Sequence, residues 1–214
     1  MRLVLWGYWR SSASWRVRIA LALKGLAHEY RAVDLVRNEQ ADPAYREKHP
    51  QALVPTLEVD GRPLVQSLAI LEWLEETFPE PALLPGDPFA RARVRGFALA
   101  IACELAPLSN LAVRRHLERD LGLDEAAQNR WHHRWLEAGL SACERTARGE
   151  AGPFCFGPTP TLADCLLVPQ LYNARRYGFP LDPFARLLEA EAAMLALDPV
   201  RRTVPELQPD APRA

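Results

Sequence analysis

Short apolar runs alternate with amphipathic stretches over the first eighty or so residues, and helical spacing takes over after that. Leu3-Val4-Leu5-Trp6 is an apolar run that predicts a buried strand. From about Ser14 to Lys24, Val17, Ala20 and Leu21 fall on one helical face, and Ile19 and Leu23 widen it. Gly25 follows, where a C′ glycine ends a helix. Residues 29–35 alternate loosely, as a second strand would. This β-α-β order usually makes a right-handed parallel crossover. Val54-Pro-Thr-Leu-Glu-Val59 is a further strand, Asp60-Gly61 a hairpin turn signal, and Arg62-Pro-Leu-Val65 the returning strand. Pro63 suits an edge strand. Ser67 is placed to cap a helix over about 68–77.

A Pro-rich stretch, 79–88, then reads as an interdomain connection. Segments near 88–119, 124–148, 161–177 and 183–198 carry helical spacing, and strand signals nearly vanish. Thr161-Leu-Ala-Asp164 starts its helix like a capping box, with Asp at the fourth position. The run from Cys165 to Leu171 is apolar all round, which predicts a helix in the centre of its domain, kinked at Pro169. The polar, Pro-rich tail from Pro205 is expected to be loose. The expectation is therefore an α/β domain with a mixed four-stranded sheet over 1–79, followed by an all-helical domain over 88–214.

Composition narrows the class. The 214 residues are 49% hydrophobic and 25% charged, as in a folded globular protein, and the net charge is −1. That balance argues against a nucleic-acid binder or an anionic-membrane binder. No apolar run is expected to span a bilayer, and the N-terminal one is too short for a signal peptide. Cys103, Cys143, Cys155 and Cys165 are widely spaced with no CxxC pair, so reduced, mostly buried thiols in the cytoplasm are expected. His132 and His133 point about 100° apart on a helix, a poor metal pair better read as a solvated face. No metal site is expected.

Three places could carry chemistry. Between Trp9 and Arg18 a strand ends in serines and a helix begins. Such a junction presents unpaired N–H groups and a positive dipole end, which favour an anion or a thiolate. Ser11, Ser12 or Ser14 could equally do no more than cap the helix. Val54-Pro55 opens a strand, and Gln66-Ser67 opens a helix with donors suited to a carboxylate. Alone, each is ordinary.

Taken together they resemble the thioredoxin-like domain of the cytosolic glutathione transferases, with the helical half resembling that family's all-helical domain. Arg10-Ser-Ser-Ala-Ser-Trp-Arg-Val-Arg and the helix running to Gly25 resemble the zeta class in particular, whose best-known activity is maleylacetoacetate isomerisation. So do Val54-Pro-Thr-Leu57, Gln66-Ser-Leu-Ala-Ile70, Leu83-Leu-Pro85, Pro107-Leu-Ser-Asn-Leu111, Leu162-Ala-Asp164, Leu167-Val-Pro-Gln170 and Asn173-Ala-Arg-Arg176. The likeness runs from about residue 2 to about residue 210.

The resemblance implies a glutathione transferase fold, glutathione as cofactor and a homodimer. Ser11 matches the catalytic serine whose hydroxyl faces the glutathione sulfur, with Ser12 and Ala13 beside it. Val54 is expected to pair its backbone with the cysteinyl part of the tripeptide, across a cis bond to Pro55. Gln66 and Ser67 match the pair holding the γ-glutamyl carboxylate, Gln40 a glutamine near the other end, and Asn110 a ligand-facing residue of the first long helix. Arg10 and Arg176 are the candidates for holding a small dianionic cis-enoic substrate, although Arg175 stands next to Arg176. Arg16 and Arg18 are read as helix-surface charges and Trp15 as packing. The family usually has Cys in place of Ala13, and better-known members have Gln in place of Ala106. The implied reaction is glutathione-dependent cis–trans isomerisation of maleylacetoacetate or maleylpyruvate in aromatic catabolism. The alternatives are a transferase that conjugates or dehalogenates small electrophiles, and a non-catalytic binding protein that kept the fold.

Overall fold

Strand β1 (Leu3–Gly7) does not alternate because it has a neighbour on each side and is buried almost throughout. In the computed structural model, which describes residues 1–212, it belongs to a four-stranded sheet of order β2-β1-β3-β4. β2 (Glu29–Ala32) runs parallel to it, with Leu5 opposite Tyr30. β3 (Thr56–Val59) runs antiparallel, with Leu5 opposite Leu57, and β4 (Arg62–Val65) pairs with β3 as the second arm of the predicted hairpin. Asp60 and Gly61 have φ of 47° and 84°, the left-handed values that a tight hairpin turn requires. The mixed sheet is as expected, with Pro63 on the edge strand.

Helix α1 (Ser12–Leu23) begins two residues earlier than its apolar spacing suggests, because Ser11 caps it. Between β2 and β3 lie a 3-10 turn (Glu39–Ala41) and the short helix α2 (Pro43–Arg46), a segment with no clear periodicity. Helix α3 (Ser67–Thr77) packs on α1 around Val17, Leu21, Ile70, Leu71 and Leu74, all fully buried. Their C-terminal ends are joined by a buried ion pair, Lys24 Nζ to Glu75 Oε2 at 2.8 Å. Lys24 also donates to the carbonyls of Phe78 and Pro81, and Glu75 accepts from the Leu83 N–H. These bonds give both buried charges the partners they need and fix the chain as it leaves α3.

Arg16 and Arg18 correct an expectation. They are not surface charges but are 3% and 2% exposed. Arg16 Nη1 donates to Ser67 Oγ at 3.2 Å, and Arg18 donates to the carbonyls of Thr203 and Trp9. Burial pushes the Arg18 guanidinium down to about 10.

The second compact unit, Leu84–Met194, is helical. The expected segment 88–119 is broken into α4 (Pro88–Leu99), a π-helical turn (Ala100–Leu105), a 3-10 turn (Pro107–Ser109) and α5 (Leu111–Arg119). Pro107 lacks the N–H that an unbroken helix needs. By length and composition alone this stretch is apolar enough to cross a membrane, contrary to expectation. One side of it forms core, through Val94, Phe97, Ile101 and Leu105. Helices α6 (Glu125–Ala147), α7 (Leu162–Arg176) and α8 (Ala185–Ala196) complete the unit. Helix α7 is buried along nearly its whole length and runs on through Pro169.

The C-terminal segment is a second correction. The described residues from Leu195 onward, including α9 (Asp198–Arg201), group with the first unit, Met1–Leu83, and not with the helical one. Nor is the tail loose. Pro205–Leu207 forms a 3-10 turn, Trp15 Nε1 donates to Thr203 Oγ1 at 2.8 Å, and Tyr30 Oη donates to Asp210 Oδ1 at 3.0 Å. Polarity in this segment serves long-range hydrogen bonds.

The N-terminus of α7 depends on one carboxylate. Asp164, fully buried, completes the capping box with Thr161, and also accepts from the Cys155 N–H at 2.8 Å. Asp164→Ala leaves two buried amides without an acceptor and is expected to destabilise the protein by about 3 kcal/mol. Asp164→Asn, which keeps an acceptor oxygen, should lose less. Urea unfolding midpoints of the two variants check this ordering.

Candidate functional site

The candidate residues of the first unit lie at or near the ends of its elements. β1 ends at Gly7, and the turn Tyr8–Ser11 carries the chain into α1. A Cβ at Gly7 would meet Ser14 Oγ at 3.1 Å, so this close crossing of strand end and helix start suits glycine. Ser14 is buried, and its Oγ accepts from the Tyr8 N–H at 3.3 Å. Its own N–H donates to Ser11 Oγ at 3.2 Å. Ser11 is therefore the N-cap, and the cap bond uses only a lone pair of its hydroxyl. The O–H hydrogen remains to be donated. Ser12 and Ala13 form the first turn of α1, where N–H groups and the positive end of the helix dipole are presented. Arg10 is half-buried, its guanidinium 5.2 Å from the Trp9 ring centroid.

The Val54–Pro55 bond is cis. Gln66 has φ of 69° and is itself the N-cap of α3, while Ser67 is the first helical residue. That revises the reading of Ser67 as the cap. Gln66 Nε2 donates to Gln51 Oε1 at 2.6 Å. Ser67 is buried, with Arg16 behind its hydroxyl. Gln40 is buried in the 3-10 turn after β2. Its Nε2 is held by Asn38 at 2.8 Å, and its Oε1 has no hydrogen-bond partner among the described residues.

In the helical unit, Asn110 does not sit on the first long helix. It caps α5, its Oδ1 accepting from the Val113 N–H at 2.8 Å. Arg176 is the exposed last residue of α7. Arg175 is committed elsewhere, with both arms of its guanidinium on the buried Glu191 of α8.

Nothing in the sequence points to the cluster around Tyr177. Its hydroxyl donates to the Ser109 carbonyl at 3.2 Å, its own carbonyl lies 2.8 Å from His133 Nε2, and its ring stacks on His132 at 4.1 Å. The Arg114 guanidinium lies 5.4 Å from that ring. Through these contacts the residue after Arg176 is tied to the residue before Asn110. His132 is 1% exposed, not on a solvated face. Burial, with Arg114 and His133 nearby, pushes its imidazole down to about 4. The stacking of a ring on a residue 45 positions later has no local signature. No group of three or more His, Cys, Asp or Glu side chains suited to a metal occurs among the described residues.

Comparison with known proteins points one way. Residues 5–82 match the family described as glutathione S-transferase, N-terminal domain. A maleylpyruvate isomerase from a Ralstonia species is 44% identical over 97% of this chain and 99% of its own. A maleylacetoacetate isomerase from Pseudomonas aeruginosa is 46% identical over 98% of this chain and 99% of its own. Among solved structures, the holo form of a maleylpyruvate isomerase, described as a bacterial glutathione S-transferase in the zeta class, matches with a TM-score of 0.95 at 44% identity. The match covers 98% of this chain and all of the other. A maleylacetoacetate isomerase from Anaeromyxobacter dehalogenans with glutathione bound in its active site matches with a TM-score of 0.89 at 50% identity, over 99% of this chain and 98% of its own.

The buried histidine gives the protein an acid sensitivity of known sign. A base whose folded pKa is depressed from 6.5 to about 4 lets the unfolded chain bind a proton first as the pH falls. Its contribution is intact above the unfolded value and is lost as the pH falls toward the folded one, up to ~3 kcal/mol. His132→Phe, which keeps the stacking on Tyr177, is expected to lose less melting temperature between about pH 7 and about pH 5 than the parent protein. Thermal unfolding at the two pH values checks this.

Proposed function

Since the chain belongs to the zeta-class glutathione transferase family, we propose that its reaction is the glutathione-dependent cis–trans isomerisation of maleylacetoacetate or maleylpyruvate, within the degradation of aromatic compounds. The observation that carries this reading is Ser11 at the α1 N-terminus, with its hydroxyl hydrogen still to be donated. The residues present also fit the tripeptide. The buried, unsatisfied Gln40 Oε1 offers an acceptor for one end of it. The N-terminus of α3, with Gln66 and with Ser67 backed by Arg16, offers donors for a carboxylate. Val54 supplies the backbone N–H and C=O for its middle.

When bound, glutathione supplies a thiolate whose reversible addition turns the cis double bond into a single bond that can rotate. Ser11 holds the sulfur in its ionised form by donating a hydrogen bond, assisted by Ser12 and the first turn of α1. Arg10, in the first unit, and Arg176, in the second, would each offer a guanidinium for a carboxylate, and such a cation would offset developing enolate charge. A planar guanidinium can bond both oxygens of a carboxylate at once.

We further propose a homodimer in the cytoplasm. Phe89, Ala92, Gly96, Leu99 and Cys103 follow one another at spacings of three and four along α4 and the π-helical turn, and all five are exposed. Phe89 is 75% exposed and Leu99 44%, an apolar stripe suited to a second copy of the chain. A compartment that keeps thiols reduced agrees with four cysteines that form no disulfide.

Two measurements follow. Maleylacetone should be converted to fumarylacetone with glutathione at a small fraction of the substrate concentration and no net loss of thiol. One-for-one thiol loss would contradict isomerisation. In that assay Ser11→Ala is expected to lower kcat about 100-fold with little change in glutathione affinity. Arg176→Ala should mainly raise KM for the dianion, by about tenfold. Sedimentation at micromolar concentration should give a particle of twice the mass of one chain, and a particle of one chain's mass would remove the dimer.

A further inference from the structure

We propose that the C-terminal segment acts as a strap that sets the turn carrying Ser11, with Asp210 as its positioning residue. The role of that turn in catalysis rests on the isomerase reading above, but the strap itself does not.

The turn Tyr8–Ser11 is short, and its ends are held locally. Tyr8 N–H donates to Ser14 Oγ, and Ser11 N–H donates to the Tyr8 carbonyl at 3.0 Å. Trp9, in the middle, is gripped instead by partners from far along the chain. Its N–H donates to Asp210 Oδ2 at 2.9 Å, across 201 residues. Its carbonyl accepts from Arg18 Nη2 at 2.9 Å. An anion and a cation thus hold the two polar backbone groups of one residue, and hydrogen bonds to ionised groups are the stronger kind.

Each grip is itself anchored. The other oxygen of Asp210 accepts from Tyr30 Oη on β2 at 3.0 Å. Arg18 is buried and also donates to the Thr203 carbonyl at 3.2 Å. Thr203 in turn receives the Trp15 indole N–H. Residues 203–210 therefore bind the turn, the sheet and α1 together.

Arg10 and Ser11 follow Trp9 directly, so the pose of the Ser11 hydroxyl depends on where the Trp9 backbone lies. The helix cap does not need the strap, because Ser11 and Ser14 form it between themselves. Loss of Asp210 should therefore leave the bond from the Ser14 N–H to Ser11 Oγ intact but free the Trp9–Arg10 backbone, so that the direction in which Ser11 offers its O–H is no longer fixed. A shift of ~1 Å in such a group costs up to ~100-fold in rate.

The test compares Asp210→Ala, Asp210→Asn and Tyr30→Phe by amide hydrogen exchange of the ligand-free protein and by steady-state kinetics. Asp210→Ala is expected to speed exchange over residues 8–10 by about tenfold while α1 exchanges as before. Its kcat should fall by about 10–100-fold, more than its glutathione KM changes. Asp210→Asn can still accept from the Trp9 N–H and pair with Tyr30, and should recover turnover to within about threefold of the parent. If Asp210→Ala does not fold, Tyr30→Phe frees one carboxylate oxygen with Asp210 in place, and should show the same changes more weakly. Parent-like exchange over 8–10 in whichever of these two variants is measured overturns the strap. Faster exchange with unchanged kcat overturns the positioning role. A parent protein that exchanges as expected but isomerises nothing sinks the functional reading and leaves the strap standing.

Discussion

The chemistry proposed for this protein turns on the hydrogen-bonding state of one hydroxyl at the start of α1. Ser11 accepts from the Ser14 N–H, and so has its O–H to give away. Magnitudes show why that matters. Moving a thiol pKa down by about two units takes ~2.7 kcal/mol. A helix N-terminus alone supplies ~0.3–1 kcal/mol, rising to ~2 in favourable, partly buried geometry. A hydrogen bond to a charged acceptor supplies ~1.5–3 kcal/mol. For the thiolate proposed above, the dipole falls short by itself and the pair suffices, so the placement of the hydroxyl decides the outcome.

Placement is where the fold spends its long-range contacts. The β1–α1 crossing is tight enough that Gly7 nearly touches Ser14. Behind α1, Arg16 reaches Ser67 at the start of α3, and Arg18 reaches the C-terminal segment. Two buried arginines two residues apart therefore link the start of α1 to the start of α3 and to the tail. In the helical unit, Tyr177 plays a comparable part, joining the end of α7 to the turn before α5. In both units a candidate site residue is followed or preceded by a residue that others hold still.

The fold was largely legible in the sequence because its signals are local. Apolar runs gave β1 and β3, Asp60-Gly61 gave the hairpin, Gly25 bounded α1, and Thr161 with Asp164 gave the start of α7. The candidate site was legible as a set of residue types at element ends, together with a family likeness. What stayed hidden depends on partners distant in sequence. Arg16 looks like a surface charge until Ser67, 51 residues on, is beside it. The tail looks loose until Asp210 meets Tyr30 and Trp9. His132 looks solvated until Tyr177 covers it. Gln66 took the cap position expected of Ser67 because the backbone there turns through positive φ, which side-chain preference does not reveal.

Thiolate absorbance, followed while glutathione bound to the intact protein is titrated with pH, reads the ionisation itself. The bound thiol should ionise about two units below free glutathione, so that it is largely ionised at neutral pH. A bound thiol that titrates where the free tripeptide does would contradict that expectation.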